Sequence, residues 1–70
     1  MMPLTMARPG ETVTIRKITG RDEVRQHLAE LGFVENSDVT LVSQLAGNLI
    51  LQVKDSRVAL DKTMANRIMI

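Results

Sequence analysis

Cysteine, tryptophan and tyrosine are absent from this 70-residue chain, and Phe33 is its one aromatic residue. Without cysteine there can be no disulfide staple, thiolate metal site or cysteine nucleophile. Extracellular domains of this size usually carry disulfides, so a reducing cytoplasm is the expected compartment. One aromatic ring cannot supply the stacking platforms that single-strand nucleic-acid binders use. Nor can it line the groove in which SH3 domains grip PxxP peptides. No uninterrupted apolar run exceeds three residues, as at Leu49–Leu51 and Ile68–Ile70, and a membrane span needs about 20. The start, Met-Met-Pro-Leu-Thr-Met-Ala, lacks the basic and apolar regions of a signal peptide. No charge of one sign dominates either. Nine basic and eight acidic residues are interspersed, for a net charge of +1. Binding to phosphate backbones draws on clustered Lys and Arg. The expected partner is therefore neither a nucleic acid nor the interior of a membrane.

What is present suffices for one small core. Apolar residues make up 44% of the chain, which argues against disorder. A domain of this length buries about 60% of the surface that its unfolded chain exposes. Residues 1–70 are read as a single domain, without repeats, linkers or low-complexity tracts.

Met2–Ala7 reads as an extended lead-in, and Pro9-Gly10 as a turn. Thr12–Arg16 alternates polar with apolar and is rich in β-branched residues, which predicts a strand with Val13 and Ile15 inward. Ile18 breaks that alternation, so a bulge or bend is expected near Lys17. Arg21–Leu31 is the best helix, with Val24, Leu28 and Leu31 on one face and Gly20 or Asp22 as its cap. Gly32 stands where a helix takes a left-handed C′ residue, and Phe33 follows as an apolar anchor. Glu35–Asp38 is a turn in which Asn36 is the residue best able to take positive φ.

Further strands follow at Val39–Gln44, Leu49–Val53 and Arg57–Leu60. In the first of these, Val39, Leu41 and Ser43 share a face. Gly47-Asn48 are the expected hairpin residues, and Lys54–Ser56 the next turn. Asp61 is placed to cap a helical turn, Lys62–Asn66, and Ile68–Ile70 to pair back with the first strand. Short strands with frequent turns at this length predict a mainly β domain, a five-stranded barrel with one inserted helix.

No catalytic constellation stands out. His27 has no nucleophile paired with it, and the four glycines are too scattered for a phosphate loop. Glu23, His27 and Glu30 fall at i, i+4 and i+7 of the predicted helix. Imidazole with carboxylates can hold Fe(II), Zn(II) or Mn(II), although a tight site takes more converging ligands than one helix supplies. Val24, Leu28, Leu31 and Phe33 are a core stripe on the plainest reading. The edge of the groove between helix and barrel could also stay open as a docking face. Leu45, at a hairpin tip, is a candidate contact residue.

The run Leu28-Ala29-Glu30-Leu31-Gly32-Phe33 resembles the central motif of the ferrous iron transport protein A family. Around it stand Pro3-Leu4, Ala7 and Gly10, Ile18 and Gly20, Val39, Gly47, Arg57-Val58-Ala59-Leu60, Ala65 and Ile68, in the family's order and over nearly the whole chain. Asn36 stands where the family commonly has glycine. The resemblance implies an SH3-like barrel and a cytosolic, non-enzymatic role in bacterial ferrous iron uptake. It implies contact with ferrous iron transport protein B, a membrane permease with a cytosolic GTP-binding domain. Arg25, Leu28, Leu31, Leu45 and Arg57 are then the candidate partner-binding residues. Two alternatives stay open. One is a small carrier or sensor of Fe(II) or another divalent transition metal, bound weakly by Glu23, His27 and Glu30. The other is a regulatory module like the C-terminal domain of iron-dependent repressors. No resident cofactor is expected, and weak self-association is compatible with the sequence.

Overall fold

A computed structural model describes residues 1–70. Its strands are β1 (Thr12–Thr14), β2 (Lys17–Ile18), β3 (Asp38–Leu45), β4 (Asn48–Val53), β5 (Ser56–Asp61) and β6 (Ile68–Met69). Helix α1 spans Asp22–Glu30 and α2 spans Lys62–Ala65. An antiparallel four-stranded sheet runs in the order β1-β3-β4-β5, and β2 pairs with β6 in a second, two-stranded sheet. The domain is mainly β, with SH3-like topology.

The expected first strand is divided by a corner. At Ile15 and Arg16 the chain leaves β3 and joins β6. The Ile15 N–H donates to the Ser37 carbonyl at 2.9 Å, the Asn36 N–H to the Ile15 carbonyl at 2.8 Å, and the Arg16 N–H to the Met69 carbonyl at 2.7 Å. These bonds satisfy both main-chain groups of Ile15 and the N–H of Arg16, so one stretch of chain can serve both sheets. This makes six strands where five were expected. The Ile15 side chain is fully buried at the corner.

Two local features depart from the sequence reading. Leu4–Met6 forms a 3₁₀ turn instead of an extended lead-in, and it buries Leu4 and then Ala7. Met2 and Ile70 exchange main-chain hydrogen bonds of 2.9 and 2.7 Å, which ties the two ends of the chain together. In β3 the register shifts between Leu41 and Ser43, so Val42 is an extra residue opposite β4. Leu41 therefore faces Leu51, while Ser43 faces Ile50, and the expected Val39–Leu41–Ser43 face ends at the bulge.

The expected helical capping is also adjusted. Arg21 takes the N-cap position of α1 without a side-chain hydrogen bond. Asp22 and Glu23 sit in the first turn, favourably placed at the positive end of the helix dipole. Asp61 does cap α2, accepting from the Met64 N–H at 2.8 Å. All 14 buried residues are apolar, and no polar side chain is buried. Val53, Leu51 and Leu49 supply the β4 face of this core, and Leu28 and Phe33 supply the helical side.

Candidate functional site

One concavity is formed on the surface, a groove of about 260 Å³ beside α1. Ile18 from β2 and Phe33 lie at its floor and are buried. Ala29 on α1 and Val34 form apolar walls, with Val34 41% exposed. Arg25, one turn before Ala29 on the same helix face, and Glu35 complete the lining with opposite charges. Arg25 Nη1 lies 3.8 Å from Asp22 Oδ1, but both side chains are largely exposed. Such a pair contributes little and leaves the guanidinium available.

The groove exists because the chain reverses sharply after α1. The Phe33 N–H donates to the Leu28 carbonyl at 2.9 Å, and the Gly32 N–H to the Ala29 carbonyl at 3.0 Å. These are the two bonds of a Schellman motif, whose C′ residue takes a left-handed conformation. Gly32 has φ +103°, and a Cβ there would lie 2.8 Å from Val53 Cγ1. Glycine is thus required twice over, by the backbone and by the close approach of β4. The next turn is set by Ser37, whose Oγ donates to the Val34 carbonyl at 2.7 Å. Asn36 takes φ +71° there, as expected. These constraints fix Val34 and Glu35 opposite the helix.

The sequence-derived candidates do not come together. Arg25 lines the groove. Leu28 is fully buried and offers no surface to a partner, a correction that follows from its central place on the inward helical face. Leu31 is half-buried against the core. Leu45 ends β3 at a hairpin and is 70% exposed, while Arg57 lies on β5, its Nε donating to Gln52 Oε1 at 3.1 Å. Neither lines the groove. The open edge beside the helix lies on the Arg25/Ala29 flank and not along Leu28 and Leu31. Ile18, Ala29, Val34 and Glu35 were missed. The apolar Val34 directly after the Leu-Gly-Phe run was the signal that could have found them. Glu23, His27 and Glu30 are all exposed, and no three His, Cys, Asp or Glu side chains are gathered to hold a metal ion. No helix is long and apolar enough to cross a membrane.

A model of the FeoA domain matches residues 2–70. The chain belongs to the FeoA family. This family serves ferrous iron transport. An Fe(2+) transport protein A of Methanocaldococcus jannaschii is 30% identical over 70 residues, covering 100% of this chain and 85% of that protein. Among solved structures, an iron uptake regulatory protein, FeoA, superposes with a TM-score of 0.89 at 28% identity, over 97% of this chain and 90% of the other. The zinc-complexed FeoA of Stenotrophomonas maltophilia, a prokaryotic SH3 domain protein, gives 0.85 at 25% identity, over 99% and 88%. A manganese-dependent transcriptional repressor gives 0.82 at 22% identity, over 94% of this chain but 38% of its own. That last likeness shows a shared fold, carried within a larger protein. The FeoA comparisons and the β2–β6 closure agree on the SH3-like barrel expected from the resemblance.

Proposed function

We propose that this FeoA domain is a non-enzymatic contact module of ferrous iron uptake, docking on the cytosolic GTP-binding part of the permease, ferrous iron transport protein B. The observation that carries the reading is the α1 groove, with an apolar floor and a cation and an anion, Arg25 and Glu35, along its lining. Such a surface suits a partner segment that inserts one aliphatic or aromatic side chain between flanking charges. The apolar insertion supplies affinity by displacing water, and the charges fix orientation. The family's place in iron transport supports the choice of partner. A carrier role through Glu23, His27 and Glu30 gains no geometric support, since no three-ligand group is formed.

The test is capture of detergent-solubilised permease by the immobilised chain. Val34→Asp places a charge against the apolar floor, and Ala29→Arg fills the groove from an exposed helical position. Each is expected to weaken capture at least about tenfold, which corresponds to about 1.4 kcal/mol, while the far-ultraviolet spectrum stays unchanged. Undiminished capture by both folded variants would rule out the groove as the docking surface.

A further inference from the structure

Strand β5 is an edge of the four-stranded sheet. It pairs with β4 without a register shift from Val53↔Ser56 to Asn48↔Asp61. It contains no proline and no bulge, two of the devices by which natural edges are blunted, and carries charge, a third, only at Arg57 and Asp61. Successive residues of a strand direct their main-chain groups to opposite sides. Val53 and Ser56 close the two-residue turn, so Ser56, Val58 and Leu60 bond to β4. Arg57, Ala59 and Asp61 direct theirs away from it. No hydrogen bond outside regular helices and strands involves a main-chain group of residues 56–61. The opposite edge of the sheet is different: β1 is three residues long and turns away into the second sheet.

We infer that this edge pairs with the β5 edge of a second copy of the chain, antiparallel about a two-fold axis at Ala59. The sequence of the strand is self-complementary in that register. Ala59 meets Ala59 of the other copy, the smallest side chains of the strand lying at the axis. Arg57 meets Asp61 and Asp61 meets Arg57, two opposite-charge pairs on the exposed face, and Val58 meets Leu60 on the core face. Charged partners directly opposite each other stabilise strand pairing, and like charges there oppose it. The two Ala59 residues exchange two main-chain hydrogen bonds. Each Arg57 carbonyl accepts another from the Asp61 N–H across the axis. The Asp61 carbonyl is committed to the first turn of α2. The result is an eight-stranded sheet continuous across the pair. Because the contact is narrow, the association is weak and depends on concentration.

The experiment is sedimentation equilibrium on the full chain from about 10 μM to about 1 mM, with amide spectra recorded over the same range. A reversible monomer–dimer equilibrium is expected. Amide shifts should depend on concentration at Arg57, Ala59 and Asp61 but not at Val58 and Leu60. Ala59→Lys sets two ammonium groups at the axis, and Arg57→Glu sets carboxylates opposite Asp61. Each should raise the dimer dissociation constant at least about tenfold with the monomer still folded. Ala59→Cys, the only thiol in that variant, should oxidise to a covalent dimer, because facing Cα atoms of a hydrogen-bonded pair lie about 5.5 Å apart. Gln44→Cys, exposed on β3 away from this edge, should not. A monomer throughout the range, or a dimer indifferent to both charge variants, would overturn the inference. So would concentration-dependent shifts confined to another surface.

Discussion

Substituting Gly32 by alanine isolates the contact on which the groove depends. Two penalties act at that position. An L-residue at left-handed φ costs about 1–2 kcal/mol. The new methyl group would also lie 2.8 Å from Val53 Cγ1, on a β-branched side chain that is only 3% exposed and stiff at χ1. Overpacking of this kind costs about 1–3 kcal/mol. Gly47 is the natural control. It has φ +84°, but nothing lies within 4 Å of a Cβ built there. Alanine also restricts the unfolded chain, an offset of about 0.4–1 kcal/mol that applies equally at both sites. The expected difference between Gly32→Ala and Gly47→Ala is therefore the packing term alone, about 1–3 kcal/mol. Urea unfolding resolves it, since m near 1 kcal/mol/M turns the gap into about 1–3 M in midpoint. The Val53→Ala background completes the test. Removing Cγ1 leaves Cβ at 3.8 Å, an ordinary contact, so Gly32→Ala should then cost no more than Gly47→Ala. Equal losses in the wild-type background, or no relief in the Val53→Ala background, would refute the reasoning.

Three other changes have outcomes set by the structure. The β3–β4 hairpin turns on Ala46 (φ +51°) and Gly47 (φ +84°), both positive as a type I′ turn requires. Ala46→Asn should thus stabilise the fold by about 0.5–1 kcal/mol, seen as a rise of about 2–8 °C in Tm. Asp61→Ala removes the hydrogen bond to the Met64 N–H and should cost about 0.5–2 kcal/mol in urea unfolding. Leu28→Ala empties a fully buried site and should cost about 2–5 kcal/mol, a large share of the roughly 4–10 kcal/mol expected for a domain of this length. A cost below about 1 kcal/mol would show that Leu28 is not the core residue described.

Much of the fold was legible because single residues carry local instructions. Gly32, Asn36 and Asp61 each occupy the backbone position that their chemistry favours. The misreadings arise where tertiary contacts overrule local preference. Gly47-Asn48 looked like the hairpin pair, yet Ala46 accepts positive φ so that Leu45 can face Asn48. The bulge at Val42 did leave a trace that went unread: Leu41-Val42 sets two apolar residues side by side and Ser43-Gln44 two polar ones, a break in the alternation of β3 where the register shifts. The turn at Leu4–Met6 follows from burying Leu4 and Ala7 under a chain end tied to Ile70. No periodicity in seven residues could announce that. The groove was half legible. Its floor residue Phe33 and its rim residue Arg25 were named, but its lining comes from three separate stretches of chain, Ile18, Arg25 with Ala29, and residues 33–35, that only the fold assembles.

This shared construction decides which substitutions can report on function. Phe33 and Ile18 are at once groove floor and barrel core, so truncating either changes stability and surface together. Leu28 has the same defect in stronger form, being core without any exposed surface. Arg25, Ala29, Val34 and Glu35 are exposed and contribute nothing to the 14-residue core. A docking defect produced at these four positions, with unfolding free energy unchanged, therefore assigns the groove to a partner. The same defect at Phe33 shows only that the barrel has loosened. The division also predicts where tolerance lies. If the groove had no partner, charge reversal at Arg25 and Glu35 would leave iron uptake untouched, because neither side chain supports the fold.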